Sequence, residues 1–215
     1  MSYRFDWSVI WTYKGLLLSG LVGTVEVFLP AAALSIAGGI LIGTAKASRL
    51  EILRDLAGYY VQTFRNIPGV VILFFLYFAY KLNPYTAAVV GLGIHHSAYM
   101  AEVTQAGIRS CASSLRPTAL ASGFTSFGAY RYVILPVAFR VMLPPLATQM
   151  LELLKNTSLA MTISFAELTF SVNIMTDETF RGFESATAGT LLYAALALVL
   201  VAVLNRIETR LKVRI

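Results

Sequence analysis

Residues 155–158 read Lys-Asn-Thr-Ser, a cation followed by an amide and two hydroxyls at the end of an apolar run. Lys155, Asn156, Thr157 and Ser158 together supply the donors that would meet a ligand carboxylate. The same four residues also suit a snorkelling lysine beside a helix cap. Glu102 is the other singular group, an acid in the moderately polar run 85–107 that also holds His95, His96, Ser97 and Gln105. Ionisable groups in such surroundings are costly and mark pathways or ion pairs. Glu102 is therefore a candidate for lining a path, contacting a neighbouring helix or anchoring the segment that follows it. Other chemistries find no support. Adjacent side chains on a helix point apart, so His95 and His96 do not make a metal-ligand pair. Gly38 and Gly43 have the spacing of a phosphate-binding loop, but Thr44 stands where a lysine is needed. No Ser-His-Asp or Cys-His set points to hydrolysis, and the single cysteine, Cys111, has no partner for an intramolecular disulfide. The expectation is a chain that is not an enzyme, with no metal and no cofactor of its own.

The elements that would hold these groups follow from composition. Of 215 residues, 57% are hydrophobic and 13% charged, and the mean hydropathy is +0.71. Those values exclude an ordinary soluble domain and indicate an integral membrane protein. At about 20 residues per span, the apolar runs give five transmembrane helices, near 18–44, 58–80, 85–107, 133–154 and 186–205. The second is polar through Asn66, so its deeply buried part shortens to 67–80. Glu26 interrupts the first run, which continues to about Ala45, too long for a signal-peptide core; the reading is a first span rather than a cleaved leader. Glu26 itself is expected to pair with a Lys or Arg of a neighbouring helix. Gly39-x-x-x-Gly43 allows close helix approach, with packing inside the chain as its plain use. One all-α membrane domain, 1–215, accounts for the whole chain.

The net charge of +6 reflects topology, since the basic residues lie in short clusters between spans and form no nucleic-acid module. Lys46, Arg49, Arg54 and Arg65 share one loop, and Arg109, Arg116, Arg131 and Arg140 a second. Arg206, Arg210, Lys212 and Arg214 occupy the tail. Only Arg4, Lys14, Lys81, Lys155 and Arg181 fall on the other side. The excess of basic residues marks the cytoplasmic side, which places the N-terminus outside and the C-terminus in the cytoplasm. Arg65 reads first as interfacial, with gating as a second use. Segment 156–184, outside or near the outer surface, carries Glu167, Asp177, Glu178 and Glu184. These four carboxylates are either a surface for a soluble partner or the polar content of a solvated loop.

Residues 113–136, SSLRPTALASGFTSFGAYRYVILP, are polar and basic in this apolar chain. Ser113 or Ser114 can cap a short helix whose first turn accepts Pro117. Gly123 supplies a bend, and Thr125 or Ser126 can cap a second helix that runs into the next span. The result is a helix-turn-helix knuckle on the cytoplasmic side. Small residues on its first helix would let another protein approach, with Phe124 and Phe127 as apolar anchors.

The knuckle resembles the coupling loop of permease subunits of ATP-binding cassette importers, whose motif sets Glu-Ala-Ala, a Gly and Ile-Leu-Pro at fixed distances. Gly123 and Ile134-Leu135-Pro136 match, and Ala119 falls on the second alanine. Pro117 stands at the glutamate position and Thr118 at the first alanine, so the contact that glutamate would make is absent. The likeness extends to TFRNIPGVVILFFLYFA (63–79), AYMAEVTQAGIRS (98–110), ILPVAFRVMLPPL (134–146), LLKNTSLAMTISFAEL (153–168) and NRIETRL (205–211). Together these resemble the polar amino-acid branch of the family.

The resemblance implies a five-helix permease subunit in a bacterial inner membrane. Its implied partners are an ATP-binding subunit, which holds ATP and Mg, an extracytoplasmic amino-acid-binding protein and a second permease chain. It also implies that Pro117, Ala119, Ser122, Gly123, Phe124 and Phe127 meet the ATPase. The alternatives are a secondary transporter or channel driven by an ion gradient through Glu102 and the histidines, and a non-transporting assembly factor. Against the first stand the lack of an inverted repeat and the presence of the knuckle.

Overall fold

A computed structural model describes residues 4–211. Lys212 and Arg214 of the basic tail lie outside the described residues. Every regular element among those described is helical. In chain order they are α1 (Ser8–Thr12), α2 (Lys14–Ala47), α3 (Glu51–Asn66), α4 (Gly69–Phe74), α5 (Pro84–Ala121), α6 (Ser126–Gly128), α7 (Leu135–Asn156), α8 (Leu168–Thr179) and α9 (Gly182–Leu211). Widened π turns follow α4 at Phe75–Ala79 and α6 at Ala129–Ile134, and a tight 3-10 segment, Thr157–Ile163, follows α7.

By length and composition three helical runs suffice to cross a bilayer: Lys14–Ala47, Ser126–Ile163 and Gly182–Arg210. A fourth is added if α3 and the helix beginning at Gly69 are one broken span. The expected run 58–80 is thus not one straight helix. Ile67 is extended, with φ −89° and ψ 127°, because the ring of Pro68 excludes helical backbone from the residue before it. α5 has 38 residues but is not among the helices apolar enough to cross by composition. Its polar residues, from His95 to Gln105, dilute the run.

The chain divides into two compact units, with boundaries inside α2, α5, α7 and α9 and before Pro68. The first comprises Met1–Ala32, Pro68–Leu92 and Leu151–Val201. Its core joins Leu17, Leu168, Met175 and Ala188, with Tyr13, Val172 and Tyr193 packed against them. Gly20 and Gly23 let α2 press on the α8 region, since a Cβ at either would collide with Ser171 or the Ala166 carbonyl. Buried Thr24 accepts the Leu168 N–H at 3.1 Å. At one rim, Glu184 accepts the Asp6 N–H at 2.8 Å, and Phe5, Trp7 and Phe183 form an aromatic cluster with centroids 5.1–6.1 Å apart.

The second unit comprises Ala33–Ile67, Gly93–Met150 and Ala202–Ile215. Its core is Ile108, Cys111, Ile134, Ala138 and Met142. Here α2 lies directly on α5. A Cβ at Gly39 would strike Met100, and one at Gly43 would sit 2.6 Å from the Ala101 carbonyl. The Gly-x-x-x-Gly pair therefore serves packing within the chain, as its plain reading anticipates.

Candidate coupling loop and charged cluster

The knuckle is built differently from the sequence expectation at its start and as expected at its end. α5 continues unbroken to Ala121 and carries Pro117 inside it. A proline forfeits one helical hydrogen bond, and that loss falls here in the last turns of a long helix. Ser113 and Ser114 cap nothing; they sit mid-helix and donate back to the Ser110 carbonyl at 2.8 and 3.2 Å.

The helix ends at Gly123, whose φ of +88° is left-handed backbone that only glycine adopts freely. The Gly123 N–H reaches the Leu120 carbonyl at 3.0 Å and the Phe124 N–H the Ala119 carbonyl at 3.1 Å. These are the paired bonds of a Schellman C-cap. Thr125 then caps α6, accepting the Gly128 N–H at 3.1 Å, and Arg116 donates to the Ser126 hydroxyl across the turn at 3.4 Å.

Of the residues expected to meet another protein, Pro117, Ser122, Gly123, Phe124 and Phe127 are exposed, Phe127 by 75%. Ala119 is not, at 5%. It faces its own unit, so its small size serves internal packing rather than an outside groove.

Glu102 pairs as a helix-anchoring group would. Its Oε2 lies 2.6 Å from Lys46 Nζ and 3.4 Å from Arg65 Nη1, which ties α5 to α2 and α3. Arg65 also lies over the Tyr99 ring, 5.2 Å from its centroid, and its carbonyl accepts the Tyr99 hydroxyl at 3.4 Å. These groups border a cavity of about 340 Å³ with Val61, Gln62 and Asn66. Two cations on one half-exposed carboxylate leave a net positive site. Beside it, His95 Nδ1 contacts the Phe64 carbonyl at 3.1 Å and Tyr60 shares a 2.7 Å hydrogen bond with Ser97.

Lys155, Asn156, Thr157 and Ser158 lie in the first unit and Glu102 in the second. Lys155 pairs with Glu152 at 2.8 Å along its own helix. Thr157 is buried and donates to the Leu154 carbonyl at 2.7 Å, and Ser158 donates to the Lys155 carbonyl at 2.8 Å. The hydroxyls thus close the end of α7, and the exposed Lys155 is the group left facing outward.

The four carboxylates of 156–184, read as either a partner surface or the polar content of a solvated loop, divide in two, with Asp177 and Glu178 exposed. Glu167 and Glu184 are fully buried. Glu167 caps α8, accepting the Thr169 and Phe170 N–H groups at 2.8 Å each and the Tyr193 hydroxyl at 2.6 Å. Burial pushes its carboxyl upward, opposed by those hydrogen bonds. Glu178 stays exposed and accepts the Tyr13 hydroxyl at 2.7 Å. The Glu167–Tyr193 pair was not anticipated, and no local motif announces a partner 26 residues away. Glu26 is exposed and makes no ion pair among the described residues, contrary to the pairing expected of it.

The model of one protein family, the binding-protein-dependent transport system inner membrane component, matches residues 35–213. The chain belongs to that family. This permease is 36% identical over 217 residues to the glutamine transport system permease protein GlnP of Escherichia coli (strain K12), covering 98% of this chain and 99% of GlnP. It is 28% identical to the glutamate/aspartate import permease protein GltJ of the same organism, covering 99% and 97%. Among solved structures, an amino acid ABC transporter crystallised with histidines matches with a TM-score of 0.88 at 29% identity, covering 97% of this chain and all of that one. A methionine ABC transporter, MetNI, in an inward-facing conformation shares the fold, with a TM-score of 0.76 at 16% identity and 92% and 97% coverage. The permease therefore has the fold of ABC transporter membrane subunits.

Proposed function

We propose that this permease is one half of the translocation path of an ATP-driven importer of polar amino acids in a bacterial inner membrane. The observation that carries the reading is the end-to-end match to GlnP, at 36% identity over 98% of the chain. In this reading residues 1–215 form one permease domain of five spans, the pair α3 and α4 supplying a broken second span and α5 the third. The N-terminus lies outside and the C-terminus in the cytoplasm, as the basic residues direct.

The chain itself hydrolyses nothing. An ATP-binding subunit, holding ATP and Mg, receives the exposed turn with Phe124 and Phe127 as apolar anchors. The rigid cap at Gly123 presents both rings in a fixed geometry. An external amino-acid-binding protein delivers the solute, and a second permease chain completes the path, since five helices form only half of one. Alternation between outward and inward states follows the motion of the ATPase pair. The charged cluster at Glu102 and the outward-facing Lys155 are the groups available to a zwitterionic solute or to gating.

The test is purification of the tagged chain from its native membrane, then proteoliposome uptake of labelled glutamine, glutamate and histidine with ATP inside. Recovery of a P-loop ATPase, ATP-dependent uptake, and loss of both in a Gly123→Glu/Phe124→Glu variant are expected. Uptake by the chain alone, driven by a proton gradient without ATP, would replace the reading with secondary transport.

A further inference from the structure

A cavity of about 470 Å³ in the second unit opens beside the knuckle between the end of α2, α5 and the α6 turn. Three guanidinium groups line it, Arg49, Arg109 and Arg116, with the hydroxyls of Thr44, Ser48 and Ser126. No carboxylate is among its lining residues. The nearest acids in sequence are already engaged, because Arg54 pairs with Asp55 at 3.1 Å and Glu51 at 3.8 Å. Arg109 and Arg116 reach only neutral acceptors, the Lys46 carbonyl at 3.3 Å and the Ser126 hydroxyl at 3.4 Å. Three cations around one cavity, with no counter-ion among the described residues, are a site for an anion with several acceptor oxygens.

The surroundings decide which anion. The rest of the lining is apolar or aromatic, with Ala47, Ile108, Ala112, Ile134, Tyr130 and the exposed Phe127 of the knuckle. The stretch following Arg49 exposes Leu50, Ile52, Leu53 and Leu56, a surface suited to acyl chains rather than to a soluble protein. α2 ends here after 34 residues, about 51 Å of helix, so it outruns the roughly 30 Å hydrocarbon core and its end reaches the headgroup layer.

We propose that this cavity binds the headgroup of an anionic phospholipid, with the phosphate held by Arg49, Arg109 and Arg116 and an acyl chain along the apolar wall. Basic pockets between membrane helices have the chemistry for this. The site rests only on the membrane placement of α2 and α5 and stands or falls independently of what the permease transports.

The test is native mass spectrometry of the detergent-purified chain with its accompanying subunits, titrated with phosphatidylglycerol, phosphatidylcholine and inorganic phosphate. One saturable phosphatidylglycerol per chain is expected, unmatched by phosphatidylcholine and roughly 30-fold weaker in Arg49→Gln/Arg116→Gln, as two lost cations imply. The Arg49→Lys/Arg116→Lys pair should retain most of the affinity, which separates lost charge from misfolding. Arg131→Gln removes a charge outside the cavity and should change nothing. Equal weakening by Arg131→Gln, or equal binding of phosphatidylcholine, would overturn the site. Displacement of the lipid by inorganic phosphate would reassign it to a free anion. Lipid that binds only after a soluble subunit is stripped away would reassign it to that subunit's carboxylates. Each of these results sinks the lipid assignment.

Discussion

Replacing Gly123 separates two accounts of why a glycine stands at the tip of the knuckle. One is room, the absence of a side chain letting another protein close in. The other is backbone, a φ of +88° required by the paired bonds from Gly123 and Phe124 to Leu120 and Ala119. A Cβ at this position meets nothing within 4 Å in the chain itself, so internal clash plays no part. Holding a Cβ-bearing residue in left-handed backbone costs about 1–2 kcal/mol, and asparagine tolerates it better than alanine. At equilibrium that cost lowers the population of the capped turn by roughly 5- to 30-fold relative to its open forms. The backbone account therefore ranks Gly above Asn, Asn above Ala and Ala above Val, although Asn is larger than Ala. The room account ranks Ala above Asn. The assay is solute-stimulated ATP hydrolysis by the reconstituted complex, with the parent and the three variants matched for incorporation. Ala outperforming Asn would refute the backbone argument.

Three further outcomes follow from the packing and the charges. Gly39→Ala, which drives a Cβ into Met100, should destabilise by about 1–3 kcal/mol, whereas Gly58→Ala, with open space around it, should stabilise by roughly 0.5–1 kcal/mol; thermal melts in detergent should shift in opposite directions, and equal shifts would contradict the close contact of α2 and α5. Glu102→Gln removes the shared partner of Lys46 and Arg65; since the carboxylate is 40% exposed, solvent screening limits the loss to about 0.2–1 kcal/mol per pair, and the difference from the parent should shrink in 1 M salt. Asp6 is held below its usual range by the Ser8 hydroxyl and N–H, so its contribution is present above the unfolded value of 3.8 and is lost as pH falls through the lower folded value. The fluorescence of Trp7 and Trp11, the two tryptophans of the chain, should report that loss below about pH 4 and show none of it in Asp6→Asn.

The parts legible in the sequence are those set by short-range pattern. The apolar runs of α2, α7 and α9 announce themselves, and so do the Gly123 turn and the Thr125 cap, because each depends on a few adjacent residues. Pro117 misleads for the same reason. It reads as a helix start, yet the end of a helix already long enough to hold itself absorbs one missing hydrogen bond. Ala119 looks available because it is small, and only the packing of its own unit shows which way it faces. The partners of Glu102 and Glu167 lie far along the chain and become visible only when helices are assembled. Glu102 has polar company on its own helix that gives no hint of Lys46, 56 residues away. Pro68 acts locally, but the break it imposes was hidden by apolar residues on its C-terminal side.

An uninterrupted α5 changes how a push on the knuckle would travel. From Ala121 back to Glu102 is a single helical strut of 20 residues, about 28 Å from end to end, with no hinge loop to absorb a stroke. A strut of this kind passes an axial displacement on almost undiminished. Moving it by one residue's rise, about 1.5 Å, would load the 2.6 Å link between Glu102 and Lys46. The charged cluster and the knuckle are thereby opposite ends of one mechanical part, and a load on either is felt at the other.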